Sequence, residues 1–165
     1  MTPINVLVIF YSRRGKSEAL ALAAGVGAIQ GRANIRLRRL ADLADPEMIQ
    51  ADAAWSENAA RMGKDYIAPR EIDARWADVL ILSAPPDRTE EMEQYLDSAH
   101  EAIQGKTGVV LGTFAGKAAA AGLAIVPPAE ATTDAAVATD YGRRAIEAAR
   151  VAKAGTAGGS PAAGD

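Results

Sequence analysis

The chain has 165 residues, a formal net charge of −3 and a pI of about 5.3. Its length predicts a single domain, and a charge this close to balance gives none of the basic surface that nucleic acid or an anionic membrane attracts. Cysteine is absent and His100 is the one histidine, which excludes disulfides and zinc–cysteine sites and argues against a histidine-rich metal centre. We therefore expect no metal, no nucleic-acid partner and no membrane partner.

The first apolar segment, residues 4–11, is too short to cross a bilayer. The basic residues Arg13, Arg14 and Lys16 follow this segment, whereas in a signal peptide they would precede it. This order predicts a cytoplasmic protein.

The first half of the chain alternates predicted strands and helices. Residues 4–10 are almost continuously apolar, as in a strand buried on both faces of a parallel sheet. Across residues 17–31 the apolar positions lie three or four apart, which predicts a helix ending at a glycine. Residues 34–40 alternate apolar residues with arginine, a pattern typical of an edge strand. An Asp-Pro pair then opens a helix predicted over about 45–62.

The second half continues the alternation. The predicted strands are residues 78–86, 107–116 and the shorter 121–128, and the predicted helices are 89–103 and 136–153. The last residues, 154–165, are glycine, alanine, serine and proline without periodicity, so we predict a disordered tail after one domain of residues 1–153.

This alternation predicts an α/β fold with a doubly wound parallel sheet and helices on both faces. Ligands bind such sheets beyond the carboxyl ends of the strands, which directs attention to the loops 11–17, 84–89 and 113–117. The fourth crossover is compressed, because about eight residues separate Phe114 from Leu123, where about a dozen are usual. Either a two-turn helix spans it, or the last strand is displaced, pairs differently or comes from a neighbouring subunit.

The loop Ser12-Arg13-Arg14-Gly15-Lys16-Ser17 joins the first strand to the first helix. A helix amino terminus with free N–H groups favours an anion, most often phosphate. A triphosphate loop would need glycine five positions before Gly15, where Phe10 stands, and no dinucleotide glycine fingerprint follows the strand. The hydroxyls and glycine suit a single phosphate. The alternative is that the hydroxyls only cap the helix.

The loop and its surroundings resemble the flavodoxin-like superfamily, and within it the WrbA-like NAD(P)H:quinone oxidoreductases. The segments that carry the resemblance cover most of residues 4–153 and are "VLVIFYSRRGKSEALA", "WADVLILSAPP", "EMEQYLDSA", "GLAIVPP" and "YGRRAIEAARVAKA". The resemblance implies strand order 2-1-3-4-5, an FMN cofactor, electron transfer from NAD(P)H to a quinone or similar acceptor, and assembly into dimers or tetramers.

The resemblance also implies a set of cofactor-binding residues, while no catalytic residue follows from it. Around the FMN phosphate it places Ser12, Arg13, Arg14, Gly15, Lys16 and Ser17, and on the side of the flavin ring Ala84, Pro85, Pro86, Asp87, Arg88, Thr113, Phe114 and Gly116.

On the ring side the chain departs from the family. The loop 84–89 is about three residues shorter than the family's Thr-Pro-Thr-Arg-Phe-Gly loop and contains no aromatic residue. Ala120 and Ala121 stand where the family has histidines, and the connection from Pro127 to Ala136 is shortened. Two functions stay open: an FMN-dependent NAD(P)H:quinone reductase, or a scaffold that no longer binds FMN and acts through a protein partner.

Overall fold

A computed structural model describes residues 3–127 and 132–164. Five parallel strands form one sheet in the order β2-β1-β3-β4-β5. The strands are β1 (Asn5–Phe10), β2 (Asn34–Arg39), β3 (Val79–Ser83), β4 (Thr107–Leu111) and β5 (Ala124–Ile125). The predicted flavodoxin-like strand order is therefore confirmed.

Helices cover both faces of this sheet. They are α1 (Lys16–Gln30), α2 (Pro46–Gln50), α3 (Ala53–Asp65), α4 (Glu71–Trp76), α5 (Glu90–Ile103), α6 (Ala115–Ala120) and α7 (Ala135–Gly164). Side chains of α1 and α7 share one core cluster, and side chains of α4, α5 and α6 share the other.

The continuous apolar character of β1 follows from its place between the two cores. Val6 and Val8 belong to the cluster under α1 and α7, whereas Leu7 and Ile9 belong to the cluster on the opposite face. All four side chains are fully buried. Because neighbouring residues of a strand point to opposite faces, a central strand covered on both sides has no position left for a polar residue.

Helices α1 and α7 approach each other closely through two glycines. A Cβ atom at Gly27 would lie 1.9 Å from the carbonyl oxygen of Thr139, and one at Gly142 would lie 1.9 Å from the carbonyl oxygen of Ala24. The absence of side chains at both positions lets the two backbones touch.

The helix predicted over residues 45–62 is in fact two helices, α2 and α3. The break occurs at Asp52, whose carboxylate accepts a hydrogen bond of 3.1 Å from the backbone N–H of Trp55 and so caps a new helix. Helix α3 also continues past Gly63, where the prediction ended it, because a glycine exposed on a helix costs only about 1 kcal/mol. The short helix α4 was not predicted.

The compressed fourth crossover is spanned by the two-turn helix α6, the first of the alternatives considered. Strand β5 pairs in parallel with β4 of the same chain, in the register Thr107↔Ala124 and Gly108↔Ile125. The shortened connection after Pro127 lies partly outside the described residues. Helix α7 extends from Ala135 to Gly164, and the disordered tail proposed for residues 154–165 stays a prediction.

Strand β2 lies at the sheet edge, as its arginines predicted, but those arginines are paired. Asp73 is fully buried and accepts hydrogen bonds from Arg36 (3.0 Å), Arg38 (2.8 Å) and the backbone N–H of Arg70 (2.8 Å). Burial alone would raise the pKa of Asp73, yet these hydrogen bonds hold it below its ordinary value. Ile67 forms a bridge to Arg38 and covers part of the edge.

Candidate functional site

Three of the predicted loops lie side by side at the carboxyl edge of the sheet. The backbone N–H of Tyr11, just after β1, donates to the carbonyl of Ser83 at 2.9 Å. The N–H of Ala84, just after β3, donates to the carbonyl of Leu111 at 3.2 Å. The loops that follow β1, β3 and β4 therefore begin next to one another, as the doubly wound fold predicts.

The loop from Ser12 to Ser17 has the geometry of an anion-binding turn. The buried hydroxyl of Ser12 accepts a hydrogen bond of 3.0 Å from the backbone N–H of Gly15. Gly15 has φ of 93°, a left-handed conformation that glycine adopts without strain, and α1 begins at the next residue. Within the described residues, the N–H groups of Lys16, Ser17 and Glu18 donate no hydrogen bond, so three donors and the positive helix end converge there.

Glu18 fastens α3 to this end of α1. Its nearly buried carboxylate accepts hydrogen bonds from both terminal nitrogens of Arg61 (2.6 and 2.9 Å) and from the hydroxyl of Tyr66 (2.6 Å). The Arg61 guanidinium holds the pKa of Glu18 below its ordinary value. Burial, together with the hydrogen bond to Glu18, raises the pKa of Tyr66 to about 12. The pairing keeps the first turn of α1 and the end of α3 in one place.

One face of α3 lies along the loop. Asp52, the residue that caps α3, forms an ion pair of 2.7 Å with Arg14. The side-chain oxygen of Asn58, two turns further along, lies 3.9 Å from where a Cβ at Gly15 would stand, the same distance as Oε1 of Glu18. The segment between β2 and β3 thus forms a wall of the candidate site, and Arg14 is engaged with that wall.

Arg13 is held in a different way, between two aromatic side chains. Its guanidinium carbon lies 3.9 Å from the centre of the Trp55 ring, and its Nε donates to the hydroxyl of Tyr11 at 2.7 Å. The Tyr11 hydroxyl in turn donates to Asp42 at 2.6 Å. Arg13, Tyr11, Asp42 and Trp55 will be called the Arg13 cluster.

Asp42 is the hub of the Arg13 cluster. Besides Tyr11, it accepts hydrogen bonds from the indole N–H of Trp55 at 3.0 Å and from Arg39 at 3.1 Å. Burial raises the pKa of Tyr11; the hydrogen bond from Arg13 lowers it, and the neighbouring Asp42 raises it further. Tyr11 therefore stays protonated at neutral pH and can donate to Asp42 while accepting from Arg13.

The ring-side residues offer fewer contacts to a flavin. Phe114 is 4% exposed and packs within the core under α5 and α6, so core packing, not a ring contact, describes its position. Arg88 is drawn to Glu91, with Nε to carboxylate 2.8 Å. The hydroxyl of Thr113 donates to the carbonyl of Pro86 at 3.3 Å, which joins the two loops.

The other predicted ring-side residues lie at the same edge or beside it. Ala84 is buried, Pro85 is half-buried, Asp87 is exposed and Gly116 is exposed within α6. A groove of about 920 Å³ lies between α4 and α5; Asp42 of the Arg13 cluster is among its lining residues, whereas the predicted loops contribute none. Within residues 3–127 and 132–164 the structure contains no helix long and apolar enough for a membrane span and no cluster of metal ligands.

The sheet order and the helix arrangement together define a flavodoxin-like fold. The fold is shared with a flavodoxin from the domain Archaea (TM-score 0.65, 15% identity, covering 89% of this chain and 99% of that one). It is also shared with the two-electron reduced flavodoxin of Megasphaera elsdenii (TM-score 0.58, 16% identity, 86% and 98% covered).

The chain also has a sequence match with a known protein. The chain is 27% identical over 99 residues to an NAD(P)H dehydrogenase (quinone) of Deinococcus radiodurans. The match covers 58% of this chain and 49% of the relative, so the chain spans about half the length of that protein. No protein-family model matches the chain. The match with the quinone dehydrogenase confirms the resemblance to NAD(P)H:quinone oxidoreductases that the sequence segments indicated.

Asp42, Asp52 and Asn58 were not among the residues predicted from the sequence. Asp42 follows the end of β2, so the rule that directs attention to the carboxyl ends of strands applied to it as well. Asp52 and Asn58 belong to the segment between β2 and β3, and no periodicity in the sequence indicates that this segment packs beside the loop 12–17. Trp55 is buried and stacks against Arg13.

Proposed function

We propose that the protein is an FMN-dependent oxidoreductase of the NAD(P)H:quinone reductase type. The observation that carries the proposal is the loop at the start of α1. There the Ser12 hydroxyl orders the turn, Gly15 has a positive φ, and three helix N–H groups remain free. This donor set suits a phosphate dianion. The sequence match with a quinone dehydrogenase supports the reaction class.

The residues fit the phosphate end of FMN better than its ring. When bound, FMN accepts a hydride from NAD(P)H and passes two electrons to an acceptor. The loop 12–17 would hold the phosphate, and the loops 84–89 and 113–116 would hold the ring. The hydroxyl of Thr113 donates to the carbonyl of Pro86, which joins those two loops.

The titration of FMN into the purified protein, followed by flavin fluorescence, tests the proposal. We expect micromolar or tighter binding, which Gly15→Asp abolishes because it combines a strained φ with an added negative charge. Ser12→Ala weakens binding because the Gly15 N–H loses its partner. Wild-type protein that quenches no flavin would refute the proposal. Bound FMN then justifies assays of NADH and NADPH oxidation with a series of quinones.

A second candidate is a scaffold without FMN that acts through a protein partner. The burial of Phe114 and the pairing of Arg88 with Glu91 favour it, since neither side chain can stack on a ring as placed. Under this alternative, phosphate or sulfate still raises the melting temperature while FMN has no effect beyond that of phosphate. The same titration therefore separates the two functions.

A further inference from the structure

We propose that Arg13 is the residue that recognises the negative charge of the bound phosphate, and that Tyr11, Asp42 and Trp55 are positioning residues for it. This inference rests on the proposed binding of FMN at the loop 12–17. It concerns a device particular to this chain, because the charge comes from a stacked arginine and not from the hydroxyls and backbone of the loop.

The terminal nitrogens of Arg13 are available for an anion. Its Nε donates to Tyr11, and one face of its guanidinium covers Trp55. In the described part of the chain, Nη1 and Nη2 have no hydrogen-bond partner and no carboxylate within ion-pair distance. A guanidinium that is stacked and held by one nitrogen presents the other two as a fixed fork, the geometry that binds phosphate through two hydrogen bonds.

Arg14, the neighbouring arginine, does not have this freedom. Its guanidinium forms a 2.7 Å ion pair with Asp52, so its charge is already balanced. Asp42, the one carboxylate of the Arg13 cluster, forms its ion pair with Arg39 at 3.1 Å, whereas Arg13 contacts the Tyr11 hydroxyl. Among the described residues, the charge of Arg13 therefore has no ion-pair partner.

Arg13 forms no hydrogen bond with Asp42. The Asp42 carboxylate instead accepts hydrogen bonds of 2.6 to 3.1 Å from Tyr11, Trp55 and Arg39. The Tyr11 hydroxyl lies between Asp42 and Arg13: it accepts a hydrogen bond from Arg13 Nε and donates one to the Asp42 carboxylate. A side chain ordered before the ligand arrives loses less conformational entropy on binding, which is where the affinity gain originates.

The test compares FMN with riboflavin, which has the same ring and no phosphate. We expect Arg13→Ala to weaken FMN binding about tenfold to a hundredfold, as for a lost charge-assisted hydrogen bond, and to leave riboflavin binding unchanged. Tyr11→Phe keeps the ring but removes the hydroxyl that anchors Nε, and it should lower the ratio of FMN to riboflavin affinity at least threefold. A merely structural role would weaken both flavins equally.

Arg36→Ala is the control, because Arg36 also stacks on an indole, Trp76 at 4.1 Å, on a different part of the protein, although unlike Arg13 it is paired with Asp73. Its affinity ratio should equal that of the wild type. Should Tyr11→Phe not fold, Asp42→Asn, which keeps the shape of the hub and removes its charge, replaces it.

The outcomes separate this proposal from the proposed function. An unchanged ratio in Arg13→Ala, with FMN bound by the wild type, overturns the role of Arg13 and leaves the function intact. A lowered ratio in Arg13→Ala but not in Tyr11→Phe overturns the positioning role. No FMN binding by the wild type overturns the proposed function and this inference with it.

Discussion

The close approach of α1 and α7 makes Gly27→Ala a sharp test of the structure. The new Cβ would lie 1.9 Å from the carbonyl oxygen of Thr139, about 1.5 Å inside the distance of ordinary contact. The obstacle is backbone, so the two helices must move apart. Overpacking of this kind costs about 1 to 3 kcal/mol or more, and the better helix propensity of alanine returns about 1 kcal/mol. Because the clash is with backbone, we take the upper end of the overpacking cost, about 3 kcal/mol, and expect a net loss of about 2 kcal/mol.

Gly25→Ala is the matched control, two residues earlier in the same helix. Its Cβ would lie 3.7 Å from Ile35 Cδ1 and 4.0 Å from Val8 Cγ2, both ordinary contacts. This variant should therefore gain about 1 kcal/mol from helix propensity alone. In differential scanning calorimetry Gly27→Ala should melt about 4 to 8 °C lower than the wild type and Gly25→Ala about 2 to 4 °C higher. Shifts of the same sign in both variants would refute the packing described for α1 and α7.

Three further predictions concern stability. The pKa values of Glu18, Asp73 and Glu91 lie below their unfolded values of 4.5 for glutamate and 3.8 for aspartate. Their contribution to the free energy of unfolding is therefore complete above the unfolded pKa values, and it is lost as the pH falls through the folded pKa values. The urea midpoint should thus fall steadily below pH 4.5, and a constant midpoint down to pH 3 would contradict the pairing. Asp73→Asn leaves two arginines without their buried partner and should lower the free energy of unfolding by about 3 kcal/mol. Glu71→Gln removes one partner of an exposed pair and should lower it by less than about 0.5 kcal/mol. Equal urea midpoints in the two variants would argue against a buried Asp73. Removal of the residues after Lys153 should leave the melting temperature unchanged within about 1 °C, and a large drop would show that the end of α7 stabilises the domain.

The parallel α/β sheet could be predicted from local pattern, and its strand order from the resemblance to the flavodoxin-like superfamily. Strands β1, β3 and β4 are buried on both faces, and their almost continuous apolar composition indicates that burial. The site followed from a general property of parallel sheets, that loops at the carboxyl ends of strands share an edge. The phosphate loop added the serine and glycine spacing that such a turn requires.

The wall formed by α3 could not be predicted, because it depends on contacts between residues distant in sequence. Arg61 and Glu18 are 43 positions apart, and nothing in the composition of either segment indicates their partner. The same holds for Arg14 and Asp52. The arginines of the loop were expected at the phosphate, and tertiary contacts instead distinguish a paired Arg14 from a stacked Arg13. The short fourth crossover could be seen in the sequence, but the structure was needed to show that a helix of the same chain spans it.

The packing of the last helix on the first has a consequence for how the protein is made. During synthesis α1 leaves the ribosome more than a hundred residues before α7 begins. Until then the side of α1 around Gly27 has no partner, and β1 lacks the cover of α7 over part of its apolar face. We therefore expect the apolar face of α1 and β1 to stay partly uncovered during synthesis until α7 has been made.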